Sequence, residues 1–119
     1  MDELKIARET GATGSTTILR LLGPLTISNL FALQDELRTI GSVDTVIDVS
    51  DTPYIDSAGL GSILSRWAHA QRSGNKFALT GVSPRIRVLL ELTRVDSVLP
   101  MYPTAADADR AFGGKAAQA

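Results

Sequence analysis

The sequence contains no cysteine and only one histidine. Without thiols the chain cannot form a disulfide, a thiolate zinc site, an iron–sulfur cluster or a cysteine nucleophile. A single histidine also cannot supply a histidine-rich metal site. We therefore expect the protein to bind no metal and to carry no cofactor.

Neither sign of charge is in surplus, and long apolar runs are absent. Lys and Arg together number 12 and Asp and Glu 13, for a net charge of −1, so the domain lacks the basic field that attracts nucleic acid. No apolar stretch reaches the roughly 18 residues of a membrane span, and the acidic start (MDELKIARET) is unlike a secretory signal. We expect a cytoplasmic protein with no nucleic acid partner and no direct membrane insertion.

The composition that remains is typical of one globular domain. The chain has 119 residues, of which 44% are apolar and 21% are charged. These values predict an ordered chain with a single modest core. We place the domain at residues 1–112 and expect the small and polar residues 113–119 to form a flexible tail.

Hydrophobic periodicity predicts a chain of alternating strands and helices. Strands are predicted at residues 4–10, 15–22, 43–50, 76–81 and 98–102, and helices at 27–40, 57–73, 83–93 and 104–112. The first two strands flank a glycine-containing turn and form an N-terminal hairpin. Because repeated strand–helix units imply parallel strands joined by crossovers, the predicted fold class is α/β with a small, mixed, mostly parallel sheet.

The strand at 43–50 is polar at alternate positions, with Asp44 and Asp48 on one side. A strand covered on both faces of a parallel sheet is apolar on both sides. We therefore expect one well-covered face, which carries most of the crossover helices, and one lightly covered or open face. The helix at 57–73 has an apolar stripe that includes Trp67. The predicted exposed face of that helix contains Ser62, Ser65, Arg66, His69 and Arg72.

The segment 51–61 follows a strand end and opens the central helix, a place where α/β proteins often bind ligands. Either Asp56 or Ser57 is a natural N-cap. Gly59 and Gly61 are unusual inside a helix, since each costs about 1 kcal/mol relative to alanine. Taken without context, the glycines have two explanations. They can let another molecule approach the bare backbone, or they can only allow tight packing against a strand.

Enzymatic interpretations of this segment each lack a required group. A nucleophilic Ser57 needs a base about 3 Å away, whereas the sole histidine, His69, lies about 18 Å further along the same helix. A phospho-acceptor role for Asp48 needs further carboxylates around Mg²⁺, and residues 23–26, after the preceding strand, contain none. We predict that the protein is not an enzyme.

Residues 48–61 (DVSDTPYIDSAGLG) resemble the signature of the STAS family, the domains of sulfate transporters and bacterial anti-sigma factor antagonists. The resemblance is strongest to the small stand-alone bacterial antagonists. It extends through residues 74–76 and 82–84 to 92–96, and more weakly over about residues 4–112. It implies a small mixed sheet with helices, in agreement with the periodicity.

The resemblance also implies a regulatory switch. In such proteins the serine directly after the aspartate, here Ser57, is phosphorylated by an anti-sigma factor that is also a serine kinase. The unphosphorylated protein binds this partner and frees the sigma factor for transcription, phosphorylation ends the binding, and a phosphatase acting on phospho-Ser57 restores it. The predicted partner-binding residues are Asp56, Ala58, Gly59, Gly61, Ser62, Ser65, Ser83 and Arg85.

Two alternative functions remain open. The domain could be an accessory subunit of a membrane transport ATPase, such as a lipid-transport ATPase, or a component of a large stress-sensing scaffold. In the transport alternative, a helix face rather than Ser57 would carry the binding. The identity of the partner distinguishes these alternatives from the anti-sigma factor antagonist.

Overall fold

A computed structural model describes the backbone of residues 3–118 and the side chains up to Gly113. Within this range the chain forms strands and helices in the predicted order. The strands are β1 (Lys5–Thr10), β2 (Thr17–Leu22), β3 (Thr45–Asp51), β4 (Phe77–Thr80) and β5 (Met101–Tyr102). The helices are α1 (Leu30–Ile40), α2 (Ser57–Ser73), α3 (Pro84–Leu92) and α4 (Ala105–Gln118).

The strands form one sheet in the order β1-β2-β3-β4-β5. Strand β1 runs antiparallel to β2, and the other neighbouring strands are parallel. The predicted mixed, mostly parallel α/β sheet with an N-terminal hairpin is therefore confirmed. Because β2, β3 and β4 are parallel, the loops that follow them emerge together at one edge of the sheet, and this edge carries the start of α2.

Both faces of the sheet are covered, to different depths. On one face, strand residues such as Leu19 and Ile47 pack with the crossover helices α1, α2 and α3 in a large apolar cluster. On the other face, α4 covers a smaller cluster. The smaller cluster contains Ile18, Val46, Ala78, Ala105, Ala108 and Phe112. The expectation of one lightly covered face holds, and the open-face alternative is wrong.

Asp48 explains why β3 looked half-polar. Its side chain is buried on the α4 side of the sheet. It accepts hydrogen bonds from Thr80 Oγ1 at 2.8 Å and from the Ser50 N–H at 3.0 Å, and Arg20 lies 3.4 Å away. The polar residue therefore marks a paired carboxylate inside the protein.

Three predicted boundaries differ from the structure by three residues or more, and several others differ by one or two. Helix α1 begins at Leu30 instead of residue 27, because Thr26 to Asn29 form a turn in which the Thr26 N–H donates to Asn29 Oδ1. The last strand is shorter than 98–102, since residues 96–99 are turns. Helix α4 continues past Phe112 to Gln118. Flexibility of 113–119 stays a prediction, and Ala119 lies outside the described residues.

The predicted exposed face of α2 is wrong at two positions. Ser62 and Arg66 are buried, with 6% and 5% of their surface exposed. Helix α1 and the turn after it pack against this side of α2, so that Leu37 and Gly41 lie beside both residues. The surface of α2 that faces solvent is consequently narrower than the sequence pattern indicates.

Candidate functional site

The segment between β3 and α2 is held in place by the chain after β2. Thr52 donates from Oγ1 to the Leu21 carbonyl at 3.1 Å. Leu25 and Ile55 form an isolated parallel bridge, in which the Leu25 N–H donates to the Tyr54 carbonyl at 3.2 Å. The start of α2 is thus fixed against the loop that leads into α1.

Asp56 is the N-cap of α2, which is one of the two predicted alternatives, Asp56 or Ser57. Its Oδ1 accepts from the Gly59 N–H at 2.8 Å, and its Oδ2 accepts from the Ile27 N–H at 3.0 Å. Backbone hydrogen bonds, first from Gly59 and then from Ile27, hold the pKa of Asp56 below its usual value. One carboxylate therefore caps α2 and ties it to the turn that precedes α1.

Ser57 is the first residue of α2 and is exposed. Because Asp56 is the cap, the Ser57 hydroxyl is not needed for that purpose. It forms no side-chain hydrogen bond within the part of the chain that the structure describes. Gly61 and Ser65 follow at four-residue spacing, are also exposed, and share this face of the helix. We call Ser57, Gly61 and Ser65 the α2 stripe.

The two helical glycines have different environments. Gly59 is buried, and a Cβ atom there would collide with the carbonyl oxygen of Leu25 and lie 2.9 Å from Leu25 Cγ. A Cβ atom at Gly61 would meet nothing within 4 Å. Tight packing thus explains Gly59, while Gly61 leaves bare backbone open on the α2 stripe.

The other predicted contact residues fall into different environments. Ser62 is buried and donates to the Gly59 carbonyl at 2.7 Å, and Ala58 is half-buried against the large cluster. Ser83 caps α3, where its Oγ accepts from the Ile86 N–H at 3.2 Å. Arg85 is exposed. Of this set, Gly61, Ser65 and Arg85 present the most accessible surface.

Two groups of residues near the site were missed by the sequence analysis. Ile27 and Phe31 are large apolar side chains with 63% and 66% of their surface exposed, and the Ile27 backbone bonds directly to Asp56. Tyr54 lies under Arg85, whose guanidinium carbon is 5.2 Å from the ring centroid. Phe31 could have been noticed because it lies off the apolar stripe of α1, whereas the Tyr54 contact depends on the fold.

The single histidine of the sequence does not pair with Ser57. His69 is further along α2, and its Nε2 lies 2.9 Å from the Ser42 hydroxyl. Among residues 3–118, no group of three or more His, Asp or Glu side chains is arranged to hold a metal ion. No helix in that range is long and apolar enough to cross a membrane. The site is an exposed hydroxyl that follows the capping carboxylate of Asp56, to which the Ile27 N–H is hydrogen-bonded.

Comparison with known proteins gives consistent results. The family model described as "STAS domain" matches residues 7–108. A protein named "Anti-sigma F factor antagonist" from Paenibacillus polymyxa is 30% identical over 57 residues, which are 48% of this chain and 49% of that protein. The aligned segment therefore spans about half of the relative.

Two solved structures share the fold over nearly the whole chain. An anti-sigma factor antagonist from Mycobacterium paratuberculosis has a TM-score of 0.82 at 23% identity, covering 92% of this chain and 94% of that one. The Bacillus cell fate determinant SpoIIAA in its phosphorylated form has a TM-score of 0.68 at 20% identity, covering 90% and 99%. At these identities the likeness establishes the architecture.

Proposed function

The chain belongs to the STAS domain family, and we propose that it is an anti-sigma factor antagonist switched off by phosphorylation at Ser57. The name of the Paenibacillus relative and the regulatory titles of the structural neighbours support this assignment. In this role the protein is cytoplasmic and has no catalytic activity of its own. It is the substrate of an anti-sigma factor serine kinase and of an opposing phosphatase.

The observation that carries the proposal is the division of tasks between two adjacent residues. Asp56 makes the capping bonds of α2, and the hydroxyl of Ser57 is left exposed at the first helical position. A kinase can therefore reach the hydroxyl without opening the helix. A serine that served as the cap would instead have its oxygen engaged with the backbone.

A phosphate on Ser57 would change the charge of the site more than its shape. It adds about −1.5 to −2 charges at neutral pH, next to the carboxylate of Asp56, whose lowered pKa keeps it ionised. The N-terminal end of α2 tolerates an anion there. A partner that contacts the α2 stripe would be displaced by the added bulk and negative charge, with the fold unchanged.

The partner surface that we propose differs in part from the predicted residue set. It consists of the α2 stripe and the exposed apolar side chains of Ile27 and Phe31. Exposed apolar side chains next to a polar rim are typical of protein–protein contact sites. Gly59 and Ser62 act behind this surface, because both are buried and shape the first turns of α2.

The test is affinity capture from lysate of the native host with ATP or ADP added. The baits are wild type, Ser57→Ala, Ser57→Asp and, as a charge-matched control on the same helix, Gln71→Glu, at an exposed position. We expect a small kinase-fold protein on every bait except Ser57→Asp, and phosphate on the wild-type Ser57 peptide. Recovery of one transporter ATPase by all baits, with Ser57 unmodified, would refute the switch and favour the transport alternative.

A further inference from the structure

A cavity of about 370 Å³ lies between α1 and α2, and Ser65 is the residue of the α2 stripe that contributes to its lining. Arg66, which forms part of its wall, is about 13 Å beyond Ser57 along the helix. The volume is in the range of small-molecule sites in proteins. The lining includes apolar surface from Leu37 and polar groups from Ser42, Ser65, Arg66 and His69.

Arg66 is a buried cation with incomplete hydrogen bonding. Only 5% of its surface is exposed. Its Nη2 donates to the Gly41 carbonyl at 2.5 Å and to Thr45 Oγ1 at 3.0 Å, but its buried Nε has no acceptor. None of the ion pairs between described residues includes Arg66. Burial without a nearby carboxylate lowers the pKa of its guanidinium.

A buried charge of this kind is unfavourable unless an anion accompanies it. The described residues supply no such anion, although the guanidinium has five N–H donors and uses only part of them. Arg38 at the cavity rim is exposed and pairs with Asp35 at 2.8 Å, so it does not compensate Arg66. Within the part of the chain that the structure describes, the counter-charge is missing, and a bound anion would supply it.

We propose that this cavity binds a small organic carboxylate, with the carboxylate facing Arg66 and an apolar body lying against Leu37. A guanidinium is complementary to a carboxylate, since both groups are planar and they carry single charges of opposite sign. Ser42 and Ser65 add hydroxyl groups to the lining. The apolar part of the lining favours this ligand over a bare oxyanion, which would leave most of the volume empty.

The test is a ¹⁵N-NMR titration of the full chain at constant ionic strength. The probes are sodium acetate, butyrate, hexanoate and octanoate, with hexanamide as the neutral counterpart of hexanoate. We expect hexanoate and octanoate to shift the amide signals of Gly41 and Ser42 and the Nε–H signal of Arg66. They should bind at least tenfold more tightly than acetate and than hexanamide.

Each remaining outcome overturns the proposal. Absence of shifts with every carboxylate excludes such a ligand. Equal binding of hexanamide and hexanoate means that the cavity recognises apolar surface alone. If the affinity does not rise from acetate to octanoate, Arg66 recognises the carboxylate group alone, as it would on an acidic side chain of a partner protein. Because these measurements use the wild-type chain, they do not depend on the folding of an Arg66→Gln variant, which should lose the hexanoate shifts.

Discussion

Replacing each helical glycine of α2 by alanine should change stability in opposite directions. At Gly61 the new Cβ meets open space, so Gly61→Ala gains helix propensity with no clash. At Gly59 the same atom would collide with the backbone carbonyl of Leu25, which belongs to the short bridge with Ile55. That bridge cannot yield as a flexible side chain would.

The magnitudes follow from two opposing terms. Alanine is favoured over glycine inside a helix by about 1 kcal/mol, and this gain is available at both positions. Overpacking a fixed site costs about 1–3 kcal/mol, and contact with the Leu25 backbone places Gly59 towards the upper end. We expect Gly61→Ala to raise the free energy of unfolding by about 0.5–1 kcal/mol, and Gly59→Ala to lower it by roughly 1–2 kcal/mol.

Urea and thermal unfolding followed by circular dichroism measure both changes. For a chain of this size, a change of about 1 kcal/mol moves Tm by roughly 4 °C. A Gly59→Ala variant as stable as the wild type would refute the close packing of α2 on Leu25. The pair also separates the effect on folding from the effect on binding. Gly61→Ala should remain fully folded, while its methyl group on the α2 stripe should weaken capture of the proposed kinase partner.

Three further variants test other parts of the structure. Asp56→Ala removes the α2 cap and the bond to Ile27, and should lower the free energy of unfolding by about 1–2 kcal/mol in urea. Asp109 is buried, which raises its pKa, but hydrogen bonds led by those from Thr13 outweigh this and leave the pKa lowered. The ionised Asp109 should therefore stabilise the fold at neutral pH, and this stabilisation should be lost as the pH falls through its native-state pKa. Asp109→Asn should consequently be less stable than wild type at pH 7, and the difference in the free energy of unfolding should shrink in acid. Phe31→Ser should change stability by less than about 0.5 kcal/mol, because the ring is exposed, yet weaken kinase binding in a pull-down or by calorimetry.

Two of these variants, Asp109→Asn and Phe31→Ser, have a matched control. Asp107→Asn is the counterpart of Asp109→Asn on the same helix, since Asp107 pairs only with the exposed Arg110. Ala32→Ser, at an exposed position on α1, serves the same purpose for Phe31→Ser. An Asp109→Asn deficit that does not shrink as the pH falls through the native-state pKa of Asp109 would contradict the charge argument. A Phe31→Ser protein with full partner affinity would remove the apolar contribution from the proposed surface.

The sequence alone predicted those features that depend on local chemistry. The bounds of α2 follow from an N-cap aspartate, an apolar stripe of helical period and a glycine stop at Gly74, and the structure places the helix at the predicted residues. The N-terminal hairpin and the mostly parallel sheet follow from the order of the predicted elements. In each case the relevant signal lies within a few residues of the feature, where propensity and patterning act.

The features that were not predicted depend on packing between distant segments. Arg66 looked exposed because helical periodicity places it opposite the apolar stripe, but α1 covers that side and engages its guanidinium. Gly59 was predicted to contact a partner. Its close packing against Leu25 could not be predicted, because Leu25 is distant from it in the sequence. Asp48 suggested a solvent-exposed face of the sheet, yet Thr80 and Ser50 donate hydrogen bonds to its carboxylate inside the protein.

The arrangement at Asp56 and Ser57 has a consequence for how such a domain can be regulated. A modification that ended partner binding by unfolding the first turn of α2 would have to overcome the cap, the bridge between Leu25 and Ile55, and the packing of Gly59. A modification that only adds charge to an exposed hydroxyl overcomes none of these. Since the capping carboxylate stays in place, the phosphate can act entirely through the surface it presents to the partner, and its removal restores the original surface without refolding.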